Sequence, residues 1–265
     1  MKLFAKKSLG QHFLNSTHVL EQIIAAAQLE KGKLVLEIGP GTGVLTRALL
    51  AAGMNVIAVE KDTRAIDVLK ETFKEEMSVG KLHLIEGDIL EMTPEKLSEN
   101  SLLPSSYSLI ANIPYYITGA ILEKFLEHGP RPDKMVLLVQ KEVAERIVTR
   151  DGKESILSIS VKAFGTPKLV AKVPPGAFTP PPTVDSAILS ITDISDRLFT
   201  EKNVDISKFF SIVKAGFAHK RKFAIRNVET VLEREVAEAV WKKTNLDPKI
   251  RAEDITISDW LNIAS

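Results

Sequence analysis

The strongest constraint on the fold is an apolar run, Leu34–Ile38, that three glycines follow within five residues. The glycines stand in Gly39-Pro40-Gly41-Thr42-Gly43, and Val44–Ala52 continues with helical spacing. Strand, glycine-rich turn and helix in this order predict the first unit of an α/β fold. Glycine accepts positive φ and lets a ligand approach the backbone, and the first N–H groups of the helix are free to bind it. A tight turn that binds nothing is the alternative.

The spacing of these glycines narrows the ligand class. Dinucleotide-binding folds use G-x-G-x-x-G, whereas residues 37–43 spell E-x-G-x-G-x-G, the pattern typical of S-adenosylmethionine (SAM) methyltransferases. A dehydrogenase is disfavoured because this spacing is wrong for it and no hydride-transfer acid is apparent.

Acidic residues end the next two predicted strands. Asn55–Val59 leads to Glu60, and Leu82–Glu86 leads to Asp88 and Ile89. An acid about 20 positions past the glycine turn can take both hydroxyls of a ribose. Asp88 can accept a hydrogen bond from an adenine amine while Ile89 packs on the ring. The alternatives are an exposed strand-end carboxylate for Glu60 and a helix cap for Asp88.

A fourth strand, Tyr107–Ala111, leads to Asn112-Ile113-Pro114-Tyr115. The amide of Asn112 offers an acceptor, Pro114 fixes the backbone so that a carbonyl can be aimed, and Tyr115 can stack on a base. A loop with a core tyrosine is the alternative. Because ligands bind beyond the carboxyl ends of parallel strands, we expect all four strand ends at one rim.

The remaining pattern predicts a Rossmann-like, mostly parallel sheet with a reversed edge strand, followed by a small all-helical domain. Lys134–Val139 is a predicted strand, Ser155–Phe164 a predicted helix, and two more strands follow, Lys168–Val173 and Val184–Ile191. The proline-rich stretch between those strands could hold Phe178 at the rim as a second stacking surface, or bury it in a rigid loop. We expect a catalytic domain over residues 1–192 and a helical domain over 193–265.

Composition limits the partners. The chain of 265 residues carries a formal charge of +1, so any nucleic-acid surface must be local. One cationic run meets that requirement; it comprises Lys214, Lys220, Arg221, Lys222 and Arg226. It suits phosphate binding, although a solvated helix face is the alternative.

Composition also limits the compartment. The absence of cysteine excludes thiolate metal sites. No apolar run approaches the roughly 20 residues that span a bilayer, and the start lacks the apolar region of a secretory signal. We expect a cytoplasmic protein.

With these residues in place, the chain resembles the KsgA-type small-subunit ribosomal RNA adenine dimethyltransferases over nearly its whole length. The matching motifs are Ser8-Leu9-Gly10-Gln11-His12-Phe13-Leu14, Glu37–Gly43, Asn112–Tyr115, Gln140–Val143, Phe178–Ser186, Phe217–Lys222 and Arg251-Ala252-Glu253. The sequence departs from the family at His12, where the bacterial enzymes commonly have Asn, and at Ile113, where Leu is frequent.

The resemblance implies SAM as cofactor and a role for each site residue. Residues 1–15 would form a closing segment, within which Gln11–Leu14, chiefly His12 and Leu14, would close over SAM. The remaining implied cofactor residues are Gly39, Gly41, Glu60, Lys61, Asp88, Ile89 and Asn112. Asn112 and Pro114 would accept the hydrogens of the target amine, and Tyr115 and Phe178 would stack on the base. Arg251 joins the implied RNA-binding residues.

The implied substrate is 16S rRNA within the immature small ribosomal subunit, where two adjacent adenines in a 3'-terminal helix loop become N6,N6-dimethylated. The resemblance further implies a monomer without a metal or a membrane partner, acting in ribosome biogenesis. Two alternatives remain: a 23S large-subunit rRNA adenine methyltransferase that confers antibiotic resistance, and a non-catalytic ribosome assembly factor of the same fold.

Overall fold

A computed structural model describes residues 4–6, 9–93, 106–149 and 152–265. Residues 1–3 and 7 of the predicted closing segment, and Ser8 of the first motif, therefore lie outside the described residues. The strands are β1 (Phe13–Leu14), β2 (Leu34–Ile38), β3 (Asn55–Glu60), β4 (Leu82–Glu86), β5 (Ser108–Asn112), β6 (Lys134–Gln140), β7 (Thr166–Val173), β8 (Phe178–Thr179) and β9 (Ser186–Thr192).

Seven strands form one sheet in the order β4-β3-β2-β5-β6-β9-β7, while β1 and β8 form a separate antiparallel pair. Strands β4, β3, β2, β5 and β6 are parallel to one another, and β9 runs antiparallel to β6. The crossovers between parallel strands carry the helices. The mostly parallel Rossmann-like sheet is therefore confirmed.

The sequence predicted that the reversed strand would lie at the edge of the sheet. The reversed strand is β9, and it lies one place inside the edge, between β6 and β7. Strand β9 is buried along almost its whole length, whereas β7 alternates between exposed and partly buried residues. A strand covered on both faces suits the interior of a sheet, and a strand with regularly exposed side chains such as Lys168 and Lys172 suits its edge. The apolar run of β9 thus explains why β7 takes the outer position.

The α-helices of the described chain are Thr17–Ala27, Val44–Ala51, Thr63–Thr72, Lys74–Ser78, Thr118–Glu123, Lys141–Ile147, Ile156–Lys162, Arg197–Lys202, Ile206–Gly216, Ala224–Val228, Arg234–Thr244 and Ile257–Ala264. Side-chain caps begin several of them, including Ser16, which accepts the Val19 N–H, and Asp62, which accepts the Arg64 N–H. Ser155 and Ser158 form a capping box, which starts the predicted helix at Ile156 despite its β-branched residues. In the described part of the chain, no helix is long and apolar enough to cross a membrane.

The chain divides into two compact units. The first contains the residues up to Ala144 together with Pro167–Ile194, and the second contains Glu145–Thr166 and Ser195–Ser265. The helix Ile156–Lys162 belongs to the second unit, although it precedes residue 193 in the chain.

The core of the second unit is aromatic. Phe199 and Phe210 both pack near Phe164, and Phe199 meets Phe209 edge to face with 5.1 Å between ring centroids. Gly216 allows close packing because a Cβ there would stand 2.3 Å from Cη2 of Trp260.

The sheet register brings the functional strand ends to one rim. Ile38 at the end of β2 pairs with Val59, and Glu60 at the end of β3 pairs with Glu86. Asn112 ends β5 on the other side of β2. Because these strands are parallel, their carboxyl ends open on the same edge of the sheet.

Candidate active site

A cavity in the first unit opens beyond the ends of β2, β3, β4 and β5 and is covered by the segment 9–13. Most of the residues that the sequence assigned to a site line this cavity: His12, Gly39, Gly41, Glu60, Lys61, Asp88, Ile89, Asn112, Pro114 and Tyr115. Leu14 and Phe178 are not among its lining residues. The cavity therefore unites the four strand ends in one site.

The glycine turn forms the floor of the cavity. Gly39 and Gly41 have φ of +67° and +56°, a region that favours glycine. No heavy atom lies within 4 Å of the position of a Cβ on Gly39, so its Cα faces open space. A Cβ on Gly41 would stand 2.9 Å from Cε1 of Phe13. Gly39 thus leaves room for a ligand, and Gly41 leaves room for the covering segment.

Glu60 is a buried carboxylate with a defined orientation. It is 5% exposed, and its two oxygens accept the N–H groups of Gly41 at 2.9 Å and Asp62 at 2.8 Å. Burial raises the pKa of Glu60, and these N–H groups oppose that rise. Each carboxylate oxygen keeps a second lone pair, so the side chain can still accept two hydroxyl donors.

Asp88 is fixed by two partners of its own. Lys61 donates to Oδ2 at 2.6 Å, and the Leu90 N–H donates to Oδ1 at 2.9 Å. Burial would raise the pKa of Asp88, but the hydrogen bond from Lys61, with the Leu90 N–H, more than offsets it and the net shift is downward. An ionised carboxylate is an acceptor, as the amine of an adenine requires.

Glu37, the acid of the E-x-G-x-G-x-G pattern, lies in β2 just before the turn and is not among the residues that line the cavity. It is 1% exposed and accepts the Thr46 hydroxyl at 2.7 Å. Burial raises the pKa of Glu37 to about 8, and the neighbouring charge of Glu60 adds to that rise. The sequence did not identify this buried carboxyl as a separate feature.

Asn112 has a defined amide orientation. Its Nδ2 donates to the carbonyl oxygen of His12 at 3.0 Å. Because a carbonyl only accepts, Nδ2 must face His12, and Oδ1 faces the other way. Within the described residues, Oδ1 accepts no hydrogen bond. Asn112 thus presents a fixed acceptor, and the Pro114 carbonyl provides a second one, which already accepts the Ile117 N–H at 3.1 Å.

The segment that covers the cavity, residues 9–13, is held in place by hydrogen bonds of Gln11 and of the adjoining residues up to Asn15. Strand β1 pairs with β8, and the Asn15 side chain donates to the Thr179 hydroxyl at 2.7 Å. Gln11 donates to Asp62 at 3.1 Å; the hydrogen bond from Arg64 lowers the pKa of Asp62 to about 2. The covering segment is therefore attached both to Asp62, which caps the helix after β3, and to β8.

The side chain of His12 is a hydrogen-bond donor. Its Nδ1 lies 2.8 Å from the Pro180 carbonyl, so Nδ1 carries the hydrogen. Its ring lies nearly parallel to that of Tyr115, with 6.0 Å between the centroids. The Tyr115 hydroxyl shares a hydrogen bond of 2.6 Å with Ser186, and burial raises the pKa of Tyr115.

Phe178 differs from its expected position at the rim. Its ring is 3% exposed and belongs to the hydrophobic core. The pairing of Phe178 with Leu14 across β8 and β1 explains this burial. In this conformation a stacking surface is offered by Tyr115 instead, and by Tyr116, whose ring is 67% exposed and lines the cavity. Two consecutive tyrosines were the sequence signal for this missed residue.

The cationic run occupies a loop of the second unit. Lys220, Arg221 and Lys222 are exposed and, within the described residues, make no ion pair. Asn227 shapes this loop by donating to the carbonyl oxygens of Gly216 at 2.6 Å and His219 at 3.1 Å.

The other candidate RNA-binding residues flank the loop. Lys214 is exposed on the preceding helix. The hydrogen bond from the Ala224 N–H to the Ile250 carbonyl brings the segment before Arg251 to the end of the loop. Nη1 of Arg226 donates to both carboxylate oxygens of Glu229, at 2.9 and 3.1 Å, so the charge of Arg226 is partly neutralised.

Outside the cavity, one carboxylate oxygen each of Glu123 and Glu127 and one ring nitrogen of His128 lie within 4.8 Å of one another, and atoms of these kinds can bind a metal ion. The expectation of a metal-free reaction stays a prediction.

Comparisons with known proteins agree with this geometry. The family model described as ribosomal RNA adenine dimethylase matches residues 3–265. A protein named ribosomal RNA small subunit methyltransferase A from Dehalococcoides mccartyi (strain BAV1) is 42% identical over 97% of this chain and 87% of its own length. A protein of the same name from Synechococcus sp. (strain JA-3-3Ab) is 37% identical, with 98% and 92% covered.

Solved structures support the same fold. A dimethyladenosine transferase from Plasmodium falciparum superposes with a TM-score of 0.75 at 27% identity, covering 95% of this chain and 96% of the other. The 23S rRNA methyltransferase ErmE has a TM-score of 0.70 at 24% identity, with 95% and 97% covered; at this identity the likeness concerns the fold alone.

Proposed function

The chain belongs to the ribosomal RNA adenine dimethylase family, and from that premise we propose that it dimethylates N6 of two adjacent adenines in a 3'-terminal helix loop of 16S rRNA. It is a SAM-dependent rRNA adenine dimethyltransferase. We place its substrate in the immature small ribosomal subunit, and its action in the cytoplasm as a monomer.

The cavity residues fit the cofactor. The unobstructed Cα of Gly39 leaves space above the turn, and the two buried oxygens of Glu60 keep lone pairs for a pair of hydroxyls. Asp88 and Ile89 at the end of β4 suit an amine-bearing ring, since one accepts hydrogen bonds and the other is apolar. Lys61 keeps the Asp88 carboxylate in place. SAM supplies an electrophilic methyl group on a sulfonium.

The observation that carries the proposed reaction is the amide of Asn112, whose orientation is set by the His12 carbonyl. The N6 lone pair of adenine is delocalised into the ring, so the amine is a poor nucleophile. Acceptance of its hydrogens by Asn112 Oδ1 and the Pro114 carbonyl favours a pyramidal nitrogen with a directed lone pair. Positioning of this kind can supply much of the rate enhancement.

Bond changes in the transfer balance without a strong base. The N6 nitrogen forms a bond to the methyl carbon, the carbon–sulfur bond breaks, and the sulfur keeps the electron pair. The nitrogen then releases one proton to solvent. A second cycle requires the site to readmit the monomethylated amine.

The target adenine must leave its stack, which costs a few kcal/mol. The half-buried ring of Tyr115, fixed by its hydrogen bond to Ser186, can recover part of that cost, because one base–aromatic stack contributes about 1–3 kcal/mol. A contribution of Phe178 would require its ring to leave the core. The cationic loop at Lys220, Arg221 and Lys222 supports phosphate binding by the second unit.

Methylation assays on the two ribosomal subunits test the proposal. The purified protein, incubated with SAM and immature small subunits, should produce dimethyladenosine in 16S rRNA. Large subunits in the same assay serve as the comparison. Methylation of 23S rRNA instead would support the resistance-type alternative. No methyl transfer to either subunit, with RNA binding retained, would support a non-catalytic assembly factor.

A further inference from the structure

Tyr116 is an exposed aromatic residue beside the site that the reaction described above does not use. The residue is 67% exposed and lines the cavity. Within the described residues, its hydroxyl makes no hydrogen bond. Tyr115, the preceding residue, is half-buried and bonded to Ser186. The two adjacent tyrosines therefore have different surroundings: Tyr115 is fixed by a hydrogen bond, and Tyr116 is exposed.

The position of Tyr116 is nevertheless defined. It belongs to the 3₁₀ turn Tyr115–Ile117, in which consecutive side chains point about 120° apart. A Cβ on Gly10 would stand 3.2 Å from Cε1 and 3.3 Å from Cδ1 of the Tyr116 ring. One edge of the ring thus rests against the covering segment. The absence of a side chain at Gly10, whose φ is +58°, permits this approach.

We propose that the open face of Tyr116 stacks on the nucleotide base next to the target adenine. The inference rests on the proposed function. The target occupies the site at Asn112, Pro114 and Tyr115, so the nucleotide joined to it must cross the cavity rim, where Tyr116 lies. Aromatic rings stack on any base because every base has a π face. With two adjacent target adenines, one occupies the site while Tyr116 holds the other.

The position of Tyr116 in the chain favours an RNA base over the cofactor as the partner of this ring. Cofactor recognition falls to Glu60 and Asp88, at the ends of β3 and β4, whereas Tyr116 follows the β5 strand end that carries the amine acceptors. Tyr116 is also 67% exposed. A polymer that arrives from solvent can use that surface.

Steady-state kinetics of Tyr116→Ala and Tyr116→Phe on immature small subunits test this inference. Tyr116→Ala should raise KM for the RNA substrate about tenfold, the lower range for loss of one stack, and leave Kd for SAM within twofold. Tyr116→Phe should restore the wild-type KM, because the hydroxyl is not needed for stacking. Val79→Ala, at a 70% exposed position outside the cavity, is the control.

The product pattern gives a second readout. Loss of the ring should increase the fraction of rRNA that is modified at only one of the two adenines. A KM of Tyr116→Ala within twofold of the wild type would overturn the inference while leaving the proposed function intact. An equal loss of SAM affinity would also overturn it and would make Tyr116 a cofactor-covering residue. If wild-type protein transfers no methyl group, the proposed function fails, and this inference with it.

Discussion

At the sheet rim, the acidic side chains that face the cavity, buried Glu60 and half-buried Asp88, are already bonded within the protein, whereas the cations of the helical unit are exposed to solvent. Glu60 accepts two backbone N–H groups, and Asp88 is held by Lys61 and the Leu90 N–H. Lys220 and Lys222 are exposed and, in the described ranges of the chain, have no ion-pair partner.

The difference reflects two kinds of recognition. Hydrogen bonds fixed before binding select one small molecule by geometry, because little reorganisation is needed when it binds. Exposed cations bind a polyanion by displacing its counterions, and this attraction weakens steeply with salt. The first region should therefore control turnover and cofactor affinity, and the second should control RNA affinity and its salt dependence.

The largest expected effect is on turnover. Asn112→Ala removes the acceptor Oδ1 and should lower kcat on the order of 10³-fold, comparable to the loss of one preorganised transition-state partner. RNA affinity should stay within a few-fold of the wild type, because the cationic loop is unchanged. Single-turnover rates and RNA binding measured on the same preparation check this.

Because Asn112 also bonds to the His12 carbonyl, Asn112→Asp is an informative companion. The carboxylate introduced by this substitution can still accept a hydrogen bond from the target amine, but it cannot donate one to the His12 carbonyl. Full methylation by Asn112→Ala would contradict the proposed role of the amide.

The next effect concerns the cofactor. Glu60→Ala should raise Kd for SAM on the order of 100-fold, because two hydrogen bonds to a charged group contribute about 1.5–3 kcal/mol each. Calorimetric titration with SAM measures this change. Glu86→Ala is a matched control: Glu86 pairs with Glu60 across the strands, but it is exposed, and within the described residues its side chain accepts a hydrogen bond from Thr63 alone. Equal effects of the two variants would refute specific recognition by Glu60.

A smaller effect is expected in the helical unit. Replacing Lys220, Arg221 and Lys222 together by Ala should weaken RNA binding about tenfold near physiological salt and lower the slope of log K against log salt by about 2. Affinity for SAM should not change. Arg234→Ala, which removes an exposed arginine already paired with Glu238, is the control and should alter the slope little. An unchanged slope in the triple variant would contradict phosphate binding by this loop.

Much of the site could be predicted because its residues are tied to strand ends. An apolar run identifies a strand, and parallel strands bring their carboxyl ends together, so Gly39, Glu60, Asp88 and Asn112 could be assigned to one rim without coordinates. The alternation of strand and helix patterns likewise predicted a mostly parallel sheet with crossover helices.

The remaining details depend on contacts distant in the sequence. The burial of Phe178 follows from its pairing with Leu14, and the interior place of β9 follows from which strand is covered on both faces. The bond of His12 to Pro180 spans 168 positions. Local patterns contain no information on such pairings, and the exposure of Tyr116 is equally a product of tertiary structure.

The smallest functional effect is expected at Glu37, which supports the glycine turn without lining the cavity. Its pKa of about 8 in the folded protein lies above the ordinary value of 4.5, because burial disfavours the charged form. Between these pH values the folded state holds a proton that the unfolded state has released. The stability contributed by this group is therefore complete below pH 4.5, declines as pH rises, and is lost above about 8.

Glu37→Gln keeps an acceptor for the Thr46 hydroxyl and removes the titration. Relative to the wild type, the variant should gain free energy of unfolding between pH 5 and 8, on the order of 3 kcal/mol. Denaturant unfolding at both pH values measures the difference, and Thr46→Val, which removes the donor but keeps the carboxyl, is the companion variant. If the difference in free energy of unfolding between Glu37→Gln and the wild type is the same at pH 5 and pH 8, Glu37 does not titrate between these pH values. An unchanged affinity of Glu37→Gln for SAM would show that Glu37 contributes to stability and not to cofactor binding.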